Sequence, residues 1–179
     1  MSRRTPGTLI LLWGLLAVAP TFATEPEFQA LMSLQGEWQG HWQGMNLDSG
    51  EITETPVQLT ISATEQPQWL EEQVTTPQSR FAQYVEVQPP YRVIQQFQHA
   101  EYEQERELTS FHYVSDEVWT LRFEFSAIRQ QRPVRVRQTW QRLPQQLSRE
   151  EEVDYQDDKG THWIRRQTLQ LNRLSAPDS

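Results

Sequence analysis

The sequence predicts an all-β domain, an antiparallel up-and-down barrel of about eight to ten strands entered by a short N-terminal helix. Three observations carry this. Beyond Gly36 the apolar residues alternate with polar ones at a period of two, the mark of strands with one buried face. Turn-forming residues interrupt these runs at short intervals, which suits hairpins and not crossover connections. Helical spacing is confined to one segment near the start of the chain. A meander of half-buried strands loses its exposed edges most economically by closing on itself.

The helix is expected over Thr24–Gln35, TEPEFQALMSLQ. Thr24 can cap it, Glu25 and Glu27 lie in the first turn, and Phe28, Leu31 and Leu34 share a face before Gly36 ends it. The first strand places Gly36, Trp38, Gly40, Trp42 and Gly44 on one face, with Glu37, Gln39, His41 and Gln43 on the other. Further apolar faces are Val57-Leu59-Ile61, Phe81-Val85-Val87, Tyr91-Val93-Phe97, Trp119-Leu121-Phe123-Phe125, Val134-Val136-Trp140, Leu147-Val153-Tyr155 and Trp163-Leu169-Leu171. Turns are expected at 46–50, 88–90, 115–116, 131–133, Pro144 and 157–160, and a frayed tail at 175–179. The register of residues 64–113 is left open by the sequence.

Residues 1–23 are expected to be a cleaved export signal. Met1-Ser2-Arg3-Arg4 is a positive n-region, Leu9–Ala19 an apolar core, and small residues precede a cleavage point after Ala23. The apolar run has 11 residues, short of the ~20 that span a bilayer. Thr5-Pro6-Gly7 follow the arginine pair in place of apolar residues, so the general secretory route is favoured over the twin-arginine one. The expected location is periplasmic or secreted, with no integral membrane segment once the signal is removed. The remaining 156 residues suit one domain, the barrel at 24–174. They carry 14 basic and 24 acidic side chains, a balance of −10 that disfavours nucleic acid and anionic membranes as partners. The chain has no cysteine, so neither a lipid-anchored cysteine nor a disulfide is available.

A short helix running into Gly36-Glu37-Trp38-Gln39-Gly40, followed by about nine more strands, resembles the lipocalin-like (calycin) barrels. The resemblance implies that Trp38 closes the barrel floor and packs against an arginine near the last strand, Arg165 or Arg173. Two narrower likenesses share the first strand. The nitrobindin-like haem barrels have a third glycine where Trp42 stands, and their late iron-ligating histidine would be His162, which alternation sets on the face opposite Trp163. Glu72-Gln73 and Pro90-Tyr91-Arg92 echo the CpcT-type phycobilin lyase barrels, but the spacing is long and cysteine is absent.

No phosphate loop, zinc-binding helix or nucleophile elbow occurs. No catalytic residue, metal or cofactor is assigned. His99 with Glu101 and Glu103 reads as a solvated strand end, and the acids between Glu150 and Asp158 as an acidic hairpin without calcium-loop order. The inward faces, however, hold polar residues that are costly to bury unpaired. With Glu103, Glu105 and Glu107 outside, Gln104, Arg106, Leu108, Ser110 and His112 turn inward unless a bulge swaps the faces. Gln83 and Gln95 interrupt other apolar faces. In the last hairpin, a turn at 157–160 would pair Tyr155 with Thr161, Val153 with Trp163, Glu151 with Arg165, Arg149 with Gln167 and Leu147 with Leu169. Glu151 and Arg165 would then meet inside, as a structural pair near Trp38 or as a ligand anchor with Arg149 free to take a carboxylate. The candidate ligand-binding set is thus Arg106, Ser110, His112, Arg149, Glu151, Arg165 and Gln167. The expected function is non-enzymatic binding or carriage of a small amphipathic or hydrophobic molecule. The alternatives are an isomerase or lyase on a hydrophobic substrate, and a filled barrel that binds another protein.

Overall fold

The computed structural model describes residues 26–46, 49–66, 68–88, 92–97 and 103–174, with side chains omitted over 87–104. The segments where an export signal, a Thr24 cap and a frayed 175–179 tail are expected lie outside the described residues, as do His99 and the side chains of Gln95 and Gln104. A short helix α1 (Pro26–Met32) leads into ten strands: β1 (Gly36–Met45), β2 (Ile52–Ala63), β3 (Trp69–Thr75), β4 (Arg80–Gln88), β5 (Arg92–Phe97), β6 (Glu103–Ser115), β7 (Val118–Arg129), β8 (Arg132–Leu143), β9 (Gln146–Tyr155) and β10 (Ile164–Arg173). Every strand pairs antiparallel with its sequence neighbours, and β1 also pairs with β10 to close the barrel. No helix among the described residues is long and apolar enough to cross a membrane.

The inward face of β1 begins at the helix-covered end. Ala30, Leu31 and Leu34 pack with Trp38, Leu59, Leu121, Leu147 and Leu171 into the main core. Trp38 is fully buried there, and its indole N–H donates to Leu34 O at 2.8 Å. Two arginines flank its ring: Arg173 with its guanidinium carbon 5.5 Å from a Trp38 ring centroid, and Arg142 at 4.7 Å. Arg173 also donates to Gln35 O at 2.7 Å and lies directly across from Trp38 in the β1–β10 ladder. Of the two candidate partners for Trp38, it is therefore Arg173 that meets it. Burial, with the Arg173 charge beside it, holds the Arg142 guanidinium below its ordinary value. A smaller cluster of Val134, Val136, Val153 and Tyr155 fills the opposite end between β8 and β9.

Two departures from simple alternation decide which side chains enter the lumen. The β6–β7 ladder shifts between Leu108 and Ser110. Arg106 is buried and Leu108 packs on the core; beyond the shift Phe111 points in and His112 is exposed. A bulge reverses the faces of the strand that carries it, so Ser110 and His112, expected inside, stand on the outer wall.

The second departure is in the last hairpin. The connection runs from 156 to 163, longer than the turn expected at 157–160, so Tyr155 has no partner in Thr161. The buried Asp154 carboxylate accepts the His162 N–H at 2.7 Å. Trp163 stacks outside the barrel, its ring 4.2 Å from the Arg137 guanidinium and 5.3 Å from that of Arg135. These contacts draw 161–163 out of the sheet, and Ile164, not Trp163, faces Val153. A further shift between Arg165 and Gln167 sets Arg165 opposite Glu152 and Gln167 opposite Glu151; Leu169 then faces Arg149 and Leu171 faces Leu147. The expected Glu151–Arg165 pair does not form. Arg165 is on the outer wall, bound to Glu150 at 3.0 Å. The acidic hairpin is matched by arginines there, Glu152 by Arg137 at 2.8 Å and Asp157 by Arg132 at 2.6 Å.

The β7–β8 turn is unusual. Its two central residues, Gln130 and Gln131, have φ of 51° and 62°. A two-residue hairpin turn with both φ positive favours Asn-Gly and strains longer side chains. Substituting Asn-Gly at these positions is expected to raise stability by about 1 kcal/mol, measured by urea unfolding. An unchanged or lowered midpoint would show that the Tyr155 hydroxyl contact to Gln130 Oε1, at 3.3 Å, outweighs the strain.

Candidate functional site

Between the floor core and the far-end cluster lies a cavity of about 340 Å³. Its two walls differ. Val57, Leu59, Val74 and Phe81, from β2, β3 and β4, form an apolar side, continued by Leu169 and Trp140. Gln83, Arg106, Gln138, Arg149, Glu151 and Gln167 bring polar atoms to the rest. Trp42, 37 % exposed, and Arg129 lie where the cavity approaches solvent.

The polar side chains form two networks whose directions are fixed by donors and acceptors that have only one role. In the first, Arg149 grips Glu72 with both terminal nitrogens, Nη1 to Oε2 at 3.0 Å and Nη2 to Oε1 at 2.5 Å. Gln83 donates Nε2 to Glu72 Oε2 at 2.5 Å, and the Arg149 guanidinium lies 3.9 Å from a Trp140 ring centroid. Burial pushes the Glu72 carboxyl up, but the Arg149 charge and hydrogen bonds, with Gln83 and the Arg106 charge, outweigh it and hold the group below its usual value. In the second, Arg106 donates to Gln138 Oε1 at 2.7 Å, and Gln138 donates Nε2 to Glu151 Oε2 at 2.8 Å. At the open side the Trp42 indole N–H donates to Gln167 Oε1 at 3.1 Å.

Of the seven candidate residues, Arg106, Arg149, Glu151 and Gln167 come together in this cavity, while Ser110, His112 and Arg165 do not. Arg149 is not free to take a carboxylate, because Glu72 already occupies its fork. Sequence reasoning missed Gln138, which joins Arg106 to Glu151, and above all Glu72. Its signal was the alternation Leu70-Glu72-Val74, in which all three side chains are buried. His41, His112 and His162 are all exposed and none lines the cavity. The described histidines therefore do not fit a haem ligand inside the barrel. Among the described residues no group of three metal-ligating side chains is placed to hold an ion.

No family model matches the chain, and no curated protein does. Among solved structures, the chain is similar to Rv2717c from M. tuberculosis, with a TM-score of 0.57 and 14% identity. The match covers 84% of this chain and 98% of that one. At this identity the likeness concerns the barrel fold alone.

Proposed function

We propose that this chain is an exported, lipocalin-like barrel that binds and carries a small amphipathic molecule in its lumen without converting it. The observation that carries the reading is the cavity of about 340 Å³ with one apolar and one hydrogen-bonding side. Small-molecule sites fall in the range of about 300–1,000 Å³, mostly apolar with a few placed polar groups. A barrel serving only as a docking module would fill that space with its own side chains. Export rests on the three-part leader ahead of Thr24.

Native mass spectrometry of the protein purified from its own cells tests both halves. The expected spectrum shows a chain of residues 24–179 with an added small molecule, and Val57→Phe, which thickens the apolar side, lowers the loaded fraction several-fold while the fold is retained. A chain that keeps its leader overturns export. A chain without added mass that also fails to bind octan-1-ol overturns carriage.

A further inference from the structure

Besides the buried Arg149 Nε, two polar atoms of the lumen have no hydrogen-bond partner among the described residues, and they are neighbours. Glu151 and Gln167 face each other directly across the β9–β10 ladder, both lining the cavity. The Gln138 amide uses Glu151 Oε2 and leaves Oε1 as a bare acceptor on a side chain only 5 % exposed. The indole of Trp42 can only donate, so it fixes Gln167 with its oxygen toward the ring, and the amide Nε2 is left as an unused donor. An acceptor and a donor thus stand side by side opposite the apolar wall of Val57, Leu59, Val74 and Phe81.

The charges around them narrow the ligand further. Glu72 pairs with Arg149, and Arg106 reaches Glu151 through Gln138, while Arg129 lies at the opening and Glu150 is paired with Arg165 on the outer wall. A charged group seated beside Glu151 would upset that balance, at a cost of several kcal/mol where it stays unpaired. Resting on the lumen-binding reading above, we infer that Glu151 and Gln167 form the polar subsite, and that it takes a neutral ligand with adjacent N–H and C=O groups on an apolar body. A primary carboxamide, a lactam or a cyclic imide has this edge. The ligand N–H donates to Glu151 Oε1 and its carbonyl accepts from Gln167 Nε2.

The test uses four probes of one chain length, titrated by tryptophan fluorescence, to which Trp42 and Trp140 contribute from the cavity wall: octanamide, N,N-dimethyloctanamide, octanoic acid and octan-1-ol. Octanamide is expected to bind about tenfold tighter than the dimethyl form, the effect of one hydrogen bond to a charged acceptor. It should also outbind octanoic acid. In Glu151→Gln the Gln138 contact can persist while a donor replaces the acceptor; in Gln167→Glu the Trp42 contact can persist while an acceptor replaces the donor. Each should erase the preference for octanamide over N,N-dimethyloctanamide. The double variant presents the same pair reversed, which an amide edge turned over can still satisfy, so the preference should return. That rescue also separates recognition from a folding defect. Equal binding of the amides in the wild-type protein, or tighter binding of octanoic acid, overturns the subsite while leaving lumen binding intact. Failure of all four probes to bind overturns lumen binding and the subsite with it.

Discussion

Glu72→Ala is expected to lower the unfolding free energy by about 3–5 kcal/mol, because it leaves the Arg149 guanidinium charged and unpaired beside Trp140. In a domain of this size the melting temperature should fall by roughly 10 °C. The pH dependence gives a sharper test. In the wild-type protein the Glu72 pKa is lowered on folding. Its contribution to stability is therefore complete above the unfolded carboxyl value of about 4.3 and lost as pH falls through the lower folded value. Arg149→Met reverses the sign. Without the guanidinium, burial dominates and the folded pKa rises, so the contribution is complete below the unfolded value and is lost as pH climbs through the raised one. The gap in urea midpoint between the wild type and Arg149→Met should widen as pH is raised from 3 to 8. Parallel profiles would show that Glu72 and Arg149 are not coupled as the geometry requires.

Gly40→Val should be nearly as damaging for a different reason. A Cβ at position 40 would lie 1.9 Å from the Gln170 carbonyl oxygen and 2.9 Å from the Leu171 Cα. Those are backbone atoms of the neighbouring strand, so no side chain can move aside to relieve the clash. The cost is expected at about 3 kcal/mol or more, the upper part of the range for overpacking. Because the clash falls on the β1–β10 ladder, the loss should appear both as a lower urea midpoint and as oligomers on a sizing column, from edges that no longer meet. A monomer with wild-type stability would show that the two strands can separate at this point without penalty.

Much of the architecture could be read from alternation. The helix face of Leu31 and Leu34, the buried Trp38, and the inward Arg149 and Glu151 all follow from periods that hold where the chain is regular. The misplacements sit where the period breaks. Ser110 and His112 lie beyond the shift in β6, and Arg165 sits at the shift in β10. A bulge adds a residue without a distinctive composition, so nothing in these stretches announces it. The outward pull on Trp163 comes from Arg135 and Arg137 on β8, and no local pattern states which arginines an indole will find. Glu72 was missed because its partner lies 77 residues away. A carboxylate inside an apolar alternation reads as exposed until its arginine is placed across the lumen.

The β1–β10 ladder has a consequence for how the molecule forms. Every other ladder joins strands that follow each other in the chain, so its ends meet after a short search. The last pairing must bring residues 36–45 to 164–173 across the whole domain. Non-local contacts of this kind are slow to form. Hairpins made early would leave a curled, open sheet with β1 and β10 as two bare edges until the ends found each other. Gly40, which permits the close approach in the finished barrel, gives the waiting edge no side chain at its centre to repel a second copy. The residue that lets the barrel shut is thus also the point at which an unfinished chain is most open to pairing with its neighbour.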